Sequence, residues 1–412
     1  MSGHGLDRGC LVATVLCGLM GAAVCGNTLA GERLVIDLPL ARELPVGLRV
    51  PLRGSVVGEA TPGAVMMAQH DLFGPNPLVV QCDKEGRHAW LVAAVMKTSG
   101  LGRHIQLAGR VLDRLDSKST VRFDVASQVA TCRDGDQPVM VYRRTPHTAD
   151  GGKHITCNYF HPLFGLDGEV LTQDFPDDHP HHHGVFWAWH QLLVGDVKAG
   201  DPWVNKEFLP VVEKVWSLDS GPVFASLATR VSWTSPKVVD GKGRPKTIVS
   251  EEGLFRVFHR VSDARHIDFE VRITPRLPSV RIGGSENVKG YSGFTVRVHP
   301  PEKMAIHDRR GHLSDDAVGS TSPWADVSGV FAGSKRVSGV SILCDRRLPQ
   351  FPPKWLLRYY GMQNVAYPGR HPVLLDAKRP LILRHRLVVH HGDHKSVRAV
   401  DQQAAYEATA IP

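Results

Sequence analysis

The sequence contains no concentrated runs of charge. Nowhere do five basic residues follow one another, although Lys and Arg outnumber Asp and Glu by 49 to 41 and the formal net charge is +8. Basic residues are scattered, as in "RRLPQFPPKWLLR" (346–358). That pattern describes a generally basic surface and gives no reason to expect a nucleic-acid partner. No stretch after residue 30 stays apolar for eighteen residues, so the mature chain is not expected to enter a membrane. Cysteines at C-x-x-C spacing are also missing among Cys82, Cys132, Cys157 and Cys344, which argues against a cysteine zinc site. Helical periodicity beyond two turns is scarce as well.

The N-terminus is more concentrated. A weakly basic "MSGHGLDRGC" leads into the sixteen-residue apolar run "LVATVLCGLMGAAVCG", and "NTLA" then sets small residues at Thr28 and Ala30. This is the plan of a secretory signal peptide over residues 1–30, with export to the periplasm or the extracellular space. Val24 precedes Cys25 where a lipoprotein signal wants a small residue, which argues against lipidation. Cleavage after Ala30 leaves the four later cysteines. They form either two bridges, with three connectivities open, or buried free thiols.

Hydrophobic residues make up 42% of the chain and charged ones 22%, enough for a large core. The alternation is that of strands. In "HIDFEVRI", Ile267, Phe269, Val271 and Ile273 share one face, and Phe294, Val296 and Val298 repeat the pattern in "FTVRV". Leu381, Leu383, Leu387 and Val389 do so near the end. With 40 glycines and 28 prolines as punctuation, the expectation is an all-β protein of facing antiparallel sheets. Its expected parts are a small N-terminal β-module (31–135), one large β-sandwich (136–396) and a frayed tail (397–412).

The segment "DFPDDHPHHHGVFWAWHQ" (174–191) holds five histidines, three aspartates, two tryptophans and two phenylalanines. In an extended chain His179, His181 and His183 point one way and Asp178, His182 and Gly184 the other. Pro180 lacks an N–H, so the segment belongs at a sheet edge or in a loop entering the strand "GVFWAWHQLL". There Phe186, Ala188 and His190 face away from Val185, Trp187 and Trp189. Three readings stand side by side. His179 and His181, with a carboxylate, could hold a divalent transition metal such as zinc, copper or iron. His179, His181 or His182 could move protons, with Asp178 orienting a ring. Or the histidines close a tight turn.

Together "YFHPLFGLDGEVLTQDFP" (159–176) and "DHPHHHG" (178–184) resemble the hallmark of a bacterial family of unknown function labelled "methane oxygenase PmoA". The resemblance continues, in order, through "KGYSGFTVR" (289–297), "SPWADVSG" (322–329), "VSGVSILCD" (337–345) and "PKWLLRYYG" (353–361), over residues 138–395. Methane oxidation does not fit a chain without membrane spans. What the resemblance implies is a secreted β-sandwich common in bacteria that degrade polysaccharides. It is similar at fold level to aldose-epimerase-like sandwiches, of which a galactose-mutarotase-like supersandwich is one form. Two departures stand out: His183 where relatives have Arg, and Ser292 where Gly is usual. A titratable ring at 183 puts an anion clamp there in doubt.

The companion motifs read as the lining of a polar pocket. Lys289, Tyr291 and Arg297 supply donors, Trp324 and Asp326 suit a sugar's C–H face and hydroxyls, and Arg358 and Tyr360 share a strand face. Structural roles compete for each: a strand-face salt bridge for Arg297, a plain turn with a buried ring for Trp324. The expectation is a carbohydrate-active protein, acting on a carbohydrate or other small molecule by His/Asp acid–base chemistry as a lyase, hydrolase or epimerase. A metal-dependent enzyme using the same histidines and a non-catalytic glycan-binding module are the alternatives. His179, His181 and His182 should converge on one site with at least one of the later motifs.

Overall fold

A computed structural model describes residues 33–41, 44–97, 102–112, 120–152 and 154–409. The signal peptide expected over 1–30 lies outside the described residues. Among those described, no helix is long and apolar enough to cross a membrane.

The first part is a closed six-stranded barrel. Its strands follow one another in the order Arg33–Leu40, Val50–Val56, His88–Ala93, Leu78–Cys82, Val65–Ala68 and Arg103–Val111, and the last pairs back to the first. Alternation in "RLVIDLPL" sends Leu34, Ile36, Leu38 and Leu40 inward, where they are buried against Leu52, Val80 and Leu91. Closure removes both sheet edges.

Two nine-stranded antiparallel sheets then face each other, as alternation requires. The front sheet runs Ala317–Thr321, Lys354–Arg358, Met362–Ala366, Ser292–Arg297, Val185–Trp189, Tyr159–Leu163, Gln137–Arg143, Val129–Asp134 and Val121–Val125. The back sheet contains Val249–Phe258, Ala264–Pro275, Leu381–His391, Val337–Cys344 and Trp324–Val330 at its centre. Between them lie Trp187, Trp189, Phe255, Phe269, Phe294 and Trp355, all buried. Ile267, Val271, Ile273, Val296, Val298, Leu383, Leu387 and Val389 join this core from the faces that alternation assigns them.

Two expectations change, the module boundary and the frayed tail, and one open alternative closes. The strands at 121–125 and 129–134 pair into the front sheet, with Val121, Phe123, Ala130 and Cys132 in the sandwich core. The module therefore ends before Val121 rather than near residue 135. The four cysteines are free and buried. Burial pushes Cys82 and Cys157 up to about 12, so they stay thiols.

The tail is not frayed. A helix over Ala399–Thr409 inserts Ala405 into the barrel's core and lays Tyr406 under Arg386 at 4.7 Å. Gln402 meets His266 Nε2 at 2.9 Å, and Gln403 donates to the Cys344 carbonyl at 2.9 Å. The segment carries no wide apolar stripe to announce a docked helix. Buried glutamines with partners anchor it instead.

Candidate functional site

The front sheet has a second, outward face. Alternation that sends Val185, Trp187 and Trp189 into the core turns Phe186 and Ala188 outward, where they join Leu356, Met362, Ala366 and Trp203 in a separate apolar cluster. Tyr291 and Tyr360 pack on its edge. The histidine segment folds down over this floor.

Its conformation is two consecutive turns and not a strand. His179 N–H donates to the Pro176 carbonyl at 3.0 Å, and His182 N–H to the His179 carbonyl at 2.8 Å. Pro180 occupies the second position of the latter turn, where its fixed φ fits. Phe175, at φ 47°, donates to the His182 carbonyl at 3.1 Å and closes the loop. Gly184 lets the chain descend onto the sheet, since a Cβ there would lie 2.1 Å from the Phe160 carbonyl oxygen.

The turn brings His182 back over His179, their rings 4.7 Å apart and within 6° of parallel. His179 also stacks on Tyr360 at 4.5 Å, and His181 meets His182 edge-on at 4.7 Å. All three rings therefore gather at one place, with Tyr360 among them. Lone pairs of parallel rings lie in parallel planes and do not point at a common ion. Among the described residues no three His, Cys, Asp or Glu side chains are placed to share a metal.

A polar chain anchors this cluster. Arg297, only 2% exposed, donates from Nη2 to both Asp178 oxygens at 2.7 and 2.9 Å and from Nε to Gln173 Oε1 at 3.2 Å. Its guanidinium lies 4.7 Å from the Tyr360 ring centre. Asp178 in turn holds His179 Nδ1 at 2.9 Å through its other strong contact. Burial would raise the Asp178 carboxyl, but the bonds from Arg297 and His179 outweigh it and hold it below its ordinary value. Next to it, Arg358 bridges Asp316 (3.0 Å) and the Tyr291 hydroxyl (3.2 Å).

Burial drives the inner histidines toward the neutral form. His181 falls to about 4, pushed first by burial and then by His179. His182 falls much further for the same reason, with His181 and His179 adding to it, and its buried Nδ1 has no hydrogen-bond partner among the described residues. Burial likewise raises Tyr360, which remains a phenol.

His183 points elsewhere. It is 5% exposed, and its Nδ1 meets Asp174 Oδ1 at 2.8 Å while Tyr159 donates to Asp174 Oδ2 at 2.8 Å. Where the resemblance leads one to expect an arginine, this chain has a ring that burial disfavours charging, although Asp174 opposes the effect.

Of the expected lining, Tyr291, Arg297, Arg358 and Tyr360 are at the site. Lys289 is exposed beside it, its Nζ 5.8 Å from the Tyr291 ring. Trp324 and Asp326 are not there. They belong to the back sheet, where Asp326 is fully buried against His390 Nε2 (2.8 Å) and Ser341 Oγ (2.6 Å), and Trp324 packs near Tyr406. Motif order along the chain carries no information about which sheet a strand joins.

Trp203 is a site residue absent from that expectation. Its ring meets His182 (5.8 Å), Phe186 (5.4 Å) and Tyr291 (5.8 Å). The signal for it was the turn "DPWVN", in which Asp201 Oδ1 accepts from Trp203 N–H at 3.1 Å and Oδ2 meets His190 Nδ1 at 2.9 Å. Asp174, Tyr159 and Asp316 are likewise absent from that expectation: the turn that joins Asp174 to His183 and Tyr159 is not visible in an extended reading, and Asp316 meets Arg358 across 42 residues.

Comparison with known proteins gives the chain a family. A family model described as "Family of unknown function (DUF6807)" matches residues 130–405. The chain belongs to that family. Among solved structures it is similar to a protein in the glycosyl hydrolase family 38 from Enterococcus faecalis, at 10% identity and a TM-score of 0.41. It is also similar to an alpha-mannosidase from Enterococcus faecalis V583, at 8% identity and a TM-score of 0.36. Both alignments cover 92% of this chain and only 46% and 45% of the others, so it spans about half their length. No curated relative matches the chain.

Proposed function

We propose that the turn at 176–184 is the reactive centre of an exported, carbohydrate-active enzyme working by acid–base chemistry. The observation that carries this reading is the relay Arg297–Asp178–His179, with contacts of 2.7 and 2.9 Å at Asp178 and 2.9 Å at His179. A carboxylate holding Nδ1–H leaves Nε2 as the free, proton-accepting nitrogen. The buried guanidinium fixes the carboxylate and keeps it ionised, so Arg297 and Asp178 are positioning residues for His179.

The opposite polarity sits alongside. Arg358 donates to the Tyr291 oxygen, which leaves the hydroxyl hydrogen of Tyr291 free to be given to an oxygen of the substrate. His181 and His182, kept neutral, can hydrogen-bond hydroxyl groups without competing for the proton. The half-buried Tyr291 ring, at the edge of the apolar cluster, is of the kind that C–H surfaces of a sugar ring stack on. Lyase or epimerase chemistry, beginning with abstraction of a proton next to an electron-withdrawing group, uses this set most directly. Methane oxidation forms no part of the proposal.

The test is solvent exchange. Neutral and acidic mono- and disaccharides are incubated with the protein in D2O and followed by proton NMR. A base that abstracts a C–H proton reversibly and trades it with solvent leaves deuterium at that carbon even without net reaction. Exchange should require His179 and Asp178 and be lost in folded His179→Gln and Asp178→Asn variants. Unchanged exchange in His179→Gln would remove His179 from the mechanism.

A further inference from the structure

On the outer face of the back sheet, beneath the barrel and the C-terminal helix, lies a cleft of about 180 Å³. Five arginines and three carboxylates line it. Three arginines are matched: Arg386 with Asp268 (2.6 and 2.9 Å), Arg347 with Asp345 (2.9 and 2.6 Å) and Arg384 with Glu270 (2.9 Å). The remaining two, Arg53 from the barrel and Arg256 from the sandwich, have no ion pair or hydrogen bond among the described residues. Both approach Trp90, at 5.8 and 4.3 Å from its ring centre, and the buried Nε of Arg256 is without a partner.

Two unmatched guanidiniums held beside one indole are an unusual arrangement. The ring supplies some attraction to each, and Asp83 and Glu270 act on both from further off, with Asp268 and Asp219 acting on Arg256; but the two cations repel one another, and neither has a carboxylate at ion-pair distance among the described residues. Burial and then the Arg256 charge push Arg53 below its ordinary value. The pair is held in place by the contact between barrel and sandwich. There Gln81 donates to the Phe224 carbonyl at 3.1 Å and accepts from the Val223 and Phe224 N–H groups at 3.0 and 3.1 Å, and Trp90 packs on Phe258. The geometry points to an oxyanion as the missing partner: we propose that this cleft binds a small organic acid, its carboxylate, sulfate or phosphate group lying between Arg53 and Arg256. Guanidinium forks match such groups with paired, charge-assisted hydrogen bonds. The cleft is on the sheet opposite the histidine turn, and its assignment rests on nothing proposed for that site.

Titration calorimetry at low ionic strength tests it, with sodium glucuronate, sulfate and phosphate as probes and glucose as the uncharged control. The expected result is saturable binding of at least one oxyanion, no binding of glucose, and weakening as chloride rises. Tighter glucuronate than sulfate or phosphate assigns the site to a carboxylated sugar; the reverse order assigns it to a sulfate or phosphate ester. Arg53→Gln and Arg256→Gln should each weaken binding by about tenfold or more. Arg256 packs on Trp90, so Arg53→Gln, which leaves that packing alone, is the variant that decides if Arg256→Gln does not fold. Absence of saturable oxyanion binding, equal binding of glucose, or wild-type affinity in Arg53→Gln overturns the assignment.

Discussion

Asp178 takes both of its bonds from Arg297 through a single nitrogen, Nη2, at 2.7 and 2.9 Å, while Nη1 of the same guanidinium is buried without a partner among the described residues. Asp178 is 42% exposed at its side chain and Arg297 only 2%. The arginine is thus the fixed element, and the carboxylate and the histidine turn settle onto it. Replacing Arg297 by Met should loosen the turn and cost about 1.5–3 kcal/mol, the range for hydrogen bonds to charged groups. Urea denaturation measures this, and an unchanged midpoint would show that the clamp does not support the fold.

Gly184 should tolerate no side chain. A Cβ would stand 2.1 Å from the Phe160 carbonyl oxygen and 2.9 Å from His161 Cβ, and both belong to a paired strand. Gly184→Ala is expected to cost about 1–3 kcal/mol through forced backbone shifts and to displace His179 and His182. A melting temperature equal to wild type would contradict this.

Acid should weaken the protein well before its carboxylates titrate. Burial pushes His266 and His385 down from 6.5 to about 4 and about 3. In the unfolded chain both regain ordinary values, so above pH 6.5 neither affects stability. Below it the unfolded state takes up protons that the folded state refuses, and stability falls by about 1.4 kcal/mol per pH unit for each ring. The loss levels off only beneath the folded values. Urea midpoints at pH 7.5, 6.5, 5.5 and 4.5 should decline across the last three, less steeply in His385→Gln; a flat profile to pH 4.5 is the contrary outcome.

The thiols are expected to be silent in the folded state. Cys82, Cys132, Cys157 and Cys344 are buried and unbridged, and a buried thiol with a raised pKa is a poor nucleophile. Thiol titration should find these four unreactive until denaturant is added, and a reducing agent should leave the melting temperature unchanged. A drop in melting temperature on reduction would mean a bridge exists.

Tyr406 should count among the larger single contributors to stability. It is 7% exposed, lies 4.7 Å from the Arg386 guanidinium, and packs with Trp324, Leu343 and Val388. Tyr406→Ala should cost about 3–5 kcal/mol by the standard of buried aromatic truncations. Calorimetric unfolding within about 1 kcal/mol of wild type would demote the helix to a surface ornament.

Alternation made most of the sandwich legible, because a residue's face follows from its parity once a strand is assumed. Ile267, Phe269, Val271 and Ile273 reach the core on that basis alone. The histidine segment broke the rule for a local reason: the turns around Pro176 and Pro180 cancel parity, so His182 joins His179 and His183 leaves for Asp174. Parity also says nothing about which sheet a strand enters. Hence Trp324 and Asp326 shared motif character with Tyr291 and Arg297 and still ended on the other side of the molecule. The docked helix was hidden because Gln402 and Gln403 look like solvent-facing residues until His266 and the Cys344 carbonyl are known to be opposite them.

The position of Ala405 in the barrel's core has a consequence for the order of events during synthesis. The barrel's strands all precede residue 112, so they emerge from the ribosome early, yet the side chain that completes their packing comes near the chain's end. Until then one contact of the barrel's core is missing while the whole sandwich is still being made. Vectorial folding of this chain is therefore completed by a late seal, and a nascent chain halted before residue 399 would hold a barrel that a chaperone could recognise as unfinished.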